Sequence, residues 1–219
     1  MENYWFMRKL LGWLAVPFNF NRMVAIALRV FATLLVPMSL VTFFKVGKSL
    51  FDLPANAVLG GILFQMFYAV AIYAVVHTLF IRARDIDDLP AGDYSMFPLA
   101  AVLIKGCSEA MAAFVAFVAA GGGIYVWFTG KGIASVLTPP PKFLPVYGDT
   151  SFMGGIEFMV GGLFSAIAIV AGGYLVASLL NLLYEVAARQ RARPETVLTT
   201  NLPPSVSDMS YKLRSGTGS

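Results

Sequence analysis

Two residues of opposite charge, Lys105 and Glu109, stand four positions apart inside a long apolar stretch. This separation places both side chains on one face of an α-helix, where they can form an ion pair. If the helix begins near Pro98, Glu109 lies about 16 Å along it, close to the centre of a bilayer. A carboxylate at that depth is expected to face a partner group or a wet cavity. One interpretation is functional: an ion or proton path, or a polar contact with another subunit. The other is a pair that only neutralises itself, or a Glu109 that is protonated.

The other residues with reactive or metal-binding side chains are isolated from one another. His77 is the single histidine, and no cysteine or carboxylate cluster surrounds it, so we expect no metal site there. Near the end of the second span, it is expected to form an interfacial or interhelical hydrogen bond. Cys107 is the single cysteine, which excludes an intrachain disulfide. Its apolar surroundings predict a buried, unreactive thiol.

Catalytic motifs are missing from the sequence. There is no Ser-His-Asp set and no H-E-x-x-H, and the run Gly121-Gly122-Gly123 lacks the following Lys and Ser/Thr of a phosphate-binding loop. The acidic stretch from Asp85 to Asp93 lacks the spacing of a calcium loop, so ion pairs with Arg82 and Arg84 or docking to a basic partner are expected there. We therefore expect neither an enzyme nor a cofactor.

Composition explains where these polar residues must be placed. The 219 residues are 58% hydrophobic and 13% charged, whereas soluble domains are about 45–50% apolar and about 25% charged. Long apolar runs predict an all-α integral membrane protein with about four transmembrane helices in a bundle. The predicted spans cover residues 23–44, 57–81, 98–128 and 152–187. The net charge is +4, and the basic residues lie beside these runs, so the charge does not indicate nucleic-acid binding.

Three regions follow from this pattern. Residues 1–22 are predicted to form an amphipathic N-terminal helix on the membrane surface, residues 23–188 the four-helix transmembrane domain, and residues 189–219 a disordered cytoplasmic tail. The expected contacts with the lipid interface are made by Trp5, Arg8, Lys9, Trp13 and Arg22.

The third and fourth spans are longer than the roughly 20 residues that a bilayer needs. We expect the third span to break, kink or end at Gly121–Gly123, and Pro37 to kink the first. If both termini are cytoplasmic, more basic residues near the spans lie inside than outside, which favours that orientation.

Small residues recur on two of the predicted helices. The third span carries Ala112, Ala116 and Ala120 at steps of four, and the fourth carries Gly155, Gly162 and Ala166. Such faces allow helix backbones to approach closely in a membrane. They would serve either packing within this chain or contact with a neighbouring protein.

Two short stretches carry a family resemblance. Phe18-Asn19-Phe20-Asn21-Arg22-Met23 precedes the first span, and the last helix closes with Leu182-Leu183-Tyr184-Glu185-Val186-Ala187. In these stretches the chain resembles small bacterial membrane proteins of the DUF4282 type. The resemblance implies a bacterial inner-membrane protein of uncharacterised function and supplies no site residues.

The sequence thus favours a non-catalytic multi-span subunit that packs, in the lipid bilayer, against other membrane proteins or against itself as an oligomer. The alternative is an ion- or proton-conducting oligomer that uses Lys105 and Glu109.

Overall fold

The fold is described by a computed structural model that covers the backbone of residues 17–52, 54–89, 96–132 and 150–200. Side chains are described within these ranges except for residues 17–19, 56 and 191–200. The described part is about 93% helical and contains no strand. Four helices follow one another along the chain: α1, Pro17–Leu50; α2, Ala55–Asp87; α3, Met96–Thr129; and α4, Phe152–Thr200.

Each helix is long and apolar enough to cross a membrane. The four candidate spans contain 31, 31, 34 and 39 residues, roughly 46 to 58 Å of helix against a hydrocarbon core of about 30 Å. Every one of them must therefore tilt or project beyond the lipid. The prediction of an all-α, multi-pass membrane bundle is confirmed.

The helices pack in chain order, with α1 against α2, α2 against α3 and α3 against α4. The centre of the bundle is α3, since half of its apolar window is buried, compared with 11% for α1 and for α4. The main core lies where α2 and α3 meet, around Phe64, Val115 and Val118. Helices α1 and α4 therefore form the flanks and present most of their apolar surface to lipid.

Local sequence explains where two helices begin and end. Pro54 stands in extended conformation directly before α2, a place where its missing N–H costs nothing. Gly130 follows α3 with a φ of 60°, and its N–H bonds the carbonyl of Val126. This left-handed residue caps the helix and is a conformation that glycine adopts without strain.

The expected interruption at Gly121–Gly123 is wrong in one respect, because α3 neither breaks nor ends there but continues to Thr129. Within lipid the backbone has no water to bond, which keeps it helical. The missing side chains instead admit neighbours: Phe67 packs on Gly121, and Met159 packs on Gly123.

The predicted C-terminal tail is partly described by the structure, whereas most of the predicted N-terminal helix is not. Helix α4 continues to Thr200, past Pro194, so the first part of the region predicted to be a disordered tail is helical. Residues 201–219 lie outside the described residues, as does most of the predicted N-terminal amphipathic helix with Trp5, Arg8, Lys9 and Trp13.

Candidate functional site

A two-point polar contact joins Arg82, near the end of α2, to Glu109 on α3. Arg82 Nε donates to Glu109 Oε2 at 2.9 Å, and Arg82 Nη2 pairs with Oε1. Both side chains are about one-fifth exposed, at 21% each. A two-point contact between a guanidinium and a carboxylate is stronger and more directional than a single bond, so it fixes how α2 and α3 align.

Helix α4 joins this pair through Tyr174, whose hydroxyl donates to Oε1 of Glu109. The residue before it, Gly173, lies directly against the side chain of Ser108 on α3, where any Cβ would collide. The close approach of the two backbones is what brings the phenol within reach of the carboxylate. Glu109 thereby links three helices.

Lys105 is not the ion-pair partner of Glu109. Among the described residues, Glu109 pairs with Arg82, and Lys105 instead places its ammonium 5.3 Å from the ring centroid of Tyr174. A cation over an aromatic face at that distance is attracted by the ring quadrupole. The local pairing expected from the four-residue spacing gives way to a partner on a neighbouring helix, because arginine offers two aligned donors.

Two more ion pairs extend this arrangement toward α1. Arg82 Nη1 donates to Asp85 at 2.7 Å, one turn along α2. Arg29 on α1 pairs with Asp87 at the end of α2. We call the whole set the polar cluster: Arg29, Arg82, Asp85, Asp87, Lys105, Glu109 and Tyr174.

Helix lengths describe where the polar cluster lies along the bundle. The apolar part of α2 from residue 57 to residue 81 has 25 residues (81 − 57 + 1), about 37 Å. On α3, Glu109 lies 20 residues before Thr129 (129 − 109), about 30 Å and thus one hydrocarbon thickness away. The charged residues Arg82, Asp85 and Asp87 therefore follow directly on the apolar part of α2. The expected central position of Glu109 on α3 stays a prediction.

The small residues predicted to support packing lie mainly between α3 and α4. Gly162 packs on Ala119, and Gly155 packs on the ring of Trp127, whose Nε1 donates to the Phe152 carbonyl at 2.8 Å. The predicted alanines are buried or half-buried on the same side: Ala112, Ala116, Ala120 and Ala166. Packing within the chain accounts for the glycines.

The alanines leave an open groove between α3 and α4. Its volume is about 510 Å³, and Glu109 of the polar cluster lies at one end of it. We call it the alanine groove; its lining is Glu109, Ala112, Ala113, Ala116, Ala166, Ile167, Val170 and Ala171. The side chains of its walls are nearly all small or aliphatic. Another helix could therefore approach the backbones of α3 and α4 closely from the membrane side.

The remaining predicted residues lie away from this region. His77 is exposed on α2 and stacks on Tyr73, with ring centroids 5.7 Å apart and planes inclined by 9°. Arg22 is exposed in the first turns of α1. Cys107, expected to be buried, is exposed and lines a small apolar groove with Phe31 and Leu35 of α1. The prediction failed because an apolar sequence around a residue does not distinguish protein core from lipid-facing surface.

Two members of the polar cluster were missed as partners of Glu109. Arg82 was assigned to a flank of the second span and Tyr174 to the interior of the fourth. The continuation of α2 to Asp87 is the signal that would have placed Arg82 on a helix face. Nothing in the local sequence marks Tyr174.

Comparison with known proteins adds no relative. No family model matches the chain, and neither a curated protein nor a solved structure matches it. The resemblance to DUF4282-type proteins therefore stays a prediction. In the described residues, no group of three or more His, Cys, Asp or Glu side chains is placed to hold a metal ion.

Proposed function

We propose that this chain is a non-catalytic membrane subunit of a larger complex, and that it binds a transmembrane helix of a partner protein in the alanine groove. The observation that carries the proposal is the groove itself, where Ala112, Ala113 and Ala116 face Ala166 and Ala171 and none of the described helices lies over them. Helices associate in lipid mainly where small residues let backbones approach. Gly155, Gly162 and Gly173 of α4 are already covered by α3, whereas the alanines of this groove stay open to a partner.

The polar cluster supports the same interpretation because it holds the walls of the alanine groove in place. By tying α2, α3 and α4 together through Glu109, it fixes the spacing of the two helices that form the groove walls. A preformed groove binds a helix with a smaller entropy cost than one that must assemble.

The test is to block the alanine groove with a large side chain and to measure the mass of the purified complex. Ala171→Trp adds a large side chain at an exposed groove position, and Ala168→Trp adds the same side chain at an exposed position of α4 outside the groove lining. After purification in mild detergent, the parent chain and Ala168→Trp are expected to elute as a complex whose mass, from light scattering, exceeds that of one chain. Ala171→Trp should shift the mass to the single chain.

A parent chain that elutes alone, without a bound protein and without self-association, would remove this proposal. Equal masses for the two tryptophan variants would remove the groove as the binding surface. If the bound protein proves to be another copy of the chain, the complex is a homo-oligomer.

We further propose that both termini face the cytoplasm of a bacterial inner membrane. The end of the bundle that bears the polar cluster also carries Arg22, Arg84 and Arg189, and the opposite end carries Lys45, Lys48 and Lys131. Basic residues concentrate on the cytoplasmic side of short loops. In a Cys107→Ala background, an impermeant thiol reagent added to intact cells should label Lys48→Cys and spare Arg189→Cys; the reverse pattern would invert the topology.

A second candidate is an ion- or proton-conducting oligomer, and one observation favours it. Glu109 lines the alanine groove, so a carboxylate faces the membrane side of the bundle where copies could meet. Its pairing with Arg82 and Tyr174 weighs against free exchange of a proton or ion. Proteoliposome flux decides: conduction requires flux in the parent chain that falls in Glu109→Gln, with Glu157→Gln, an exposed residue, as the control.

A further inference from the structure

The end of the bundle opposite the polar cluster contains the larger groove of about 810 Å³. It lies where the last turns of α1 and the first turns of α2 diverge on either side of their short connection. We call it the hairpin groove; its lining is Phe43, Phe44, Gly47, Lys48, Leu50, Phe51, Ala55, Val58, Ile62 and Gln65. Large aromatic and aliphatic side chains form its walls, in contrast to the alanine groove.

The polar groups of the hairpin groove are few and different in kind. The Gln65 amide donates to the Phe43 carbonyl at 3.1 Å, so its Nε2 is engaged with α1. Lys48 is exposed on the rim, and Lys45 is exposed one turn earlier. In the part of the chain that the structure describes, no ion pair involves either lysine. The groove thus combines an apolar interior with positive charge at its edge.

The rim lies at the level of lipid headgroups. Lys48 is 19 residues from Arg29 along α1 (48 − 29), or about 28 Å. Arg29 pairs with Asp87, which lies beyond the apolar part of α2, so a distance of about one hydrocarbon thickness points to Lys48 at the opposite face. An occupant with its charge at Lys48 would extend its apolar part along Phe44, Val58 and Ile62, into the bilayer.

We propose that the hairpin groove binds an anionic phospholipid of the surrounding bilayer, with the phosphate at Lys48 and an acyl chain on the apolar walls. Charge complementarity selects an anionic headgroup, since lysines near a membrane surface attract acidic lipids. The bulky walls favour a flexible acyl chain over a helix, which needs small residues for close approach. This site is separate from the alanine groove and does not depend on the function proposed for it.

The first experiment measures headgroup preference. The full-length chain in detergent is titrated with phosphatidylglycerol or phosphatidylcholine, and bound lipid is counted by native mass spectrometry. Lys48→Gln should weaken phosphatidylglycerol binding about five-fold, the effect of one lysine near a surface, and leave phosphatidylcholine binding unchanged. Lys131→Gln is the matched control, because this exposed lysine lies at the same end of the bundle outside the groove. Equal loss for both lipids, or no loss for either, would overturn the headgroup site.

The second experiment tests the acyl-chain path with a matched pair on α2. Ile62→Trp fills the groove wall, whereas Leu59→Trp adds the same side chain at a similarly exposed position that does not line the groove. The proposal requires weaker phosphatidylglycerol binding for Ile62→Trp alone. A photo-crosslinking amino acid at Phe51 then identifies the occupant in membranes: a lipid adduct supports the proposal, and a polypeptide adduct overturns it.

Discussion

Two helix contacts of the bundle differ in the residues that form them: the contact of α3 with α4 and the contact of α1 with α2. Between α3 and α4, small residues recur along the whole length, at Gly155, Gly162 and Gly173, and each admits a neighbour where a Cβ would collide. Between α1 and α2, buried small residues occur in the first half of α1, at Ala25 and Ala32. In its second half the groove-lining residues of α1 are mostly large and apolar, and Gly47 admits the Gln65 side chain of α2.

The difference shows that glycines at the contact let neighbouring membrane helices approach closely. Lipid tails are as apolar as leucine, so burial alone gives little drive for association. Close backbone approach and polar contacts must supply it. The α3–α4 contact has both, whereas α1 relies on the Arg29–Asp87 pair and on the Gln65 hydrogen bond.

The largest effect is expected from removing Arg82, which connects α2 to the closely packed half. Arg82→Ala leaves Glu109 without its bidentate partner, and breaking an ion pair that is mostly shielded from water costs about 3 kcal/mol. The free energy of unfolding, measured by SDS titration in mixed micelles, should fall by that amount. Arg84→Ala, the exposed arginine two residues on, is the control and should change it by less than about 0.5 kcal/mol. Similar losses for both would show that the pair does not hold α2 to α3.

A glycine pair on α4 tests the close contact directly. A Cβ at Gly162 would collide with the Cβ of Ala119, whereas a Cβ at Gly172 meets nothing within 4 Å. Gly162→Ala should therefore destabilise the chain by about 2 kcal/mol, the cost of forcing extra volume into a packed contact. Gly172→Ala should leave stability unchanged or raise it by about 0.5 kcal/mol, because alanine is the better helix former. The midpoint of thermal unfolding in detergent separates the two, and equal shifts would mean that α3 and α4 are not in close contact.

The sequence predicted the helices better than their partners, for a physical reason. Within lipid the backbone must bond to itself, so an apolar run of sufficient length determines a helix, and even Gly121–Gly123 cannot interrupt it. The partner of Glu109 depends instead on the register between α2 and α3, which no local spacing encodes. The spacing of four residues therefore predicted Lys105 as the partner of Glu109, whereas the packing of α2 against α3 brings Arg82 to it. Likewise, the apolar residues around Cys107 did not reveal that it faces a groove.

The smallest effect is expected at the loosely packed contact between α1 and α2. Gln65→Met keeps the length of the side chain and removes its hydrogen bond to the Phe43 carbonyl. That carbonyl already serves the α1 helix, and such bonds in membrane proteins average about 0.6 kcal/mol. SDS titration should show a loss of that order, well below the loss for Gly162→Ala. A loss as large as that of Gly162→Ala would mean that one hydrogen bond holds α1 as firmly as glycine packing holds α4. The two contacts would then differ in geometry but not in their contribution to the free energy of unfolding.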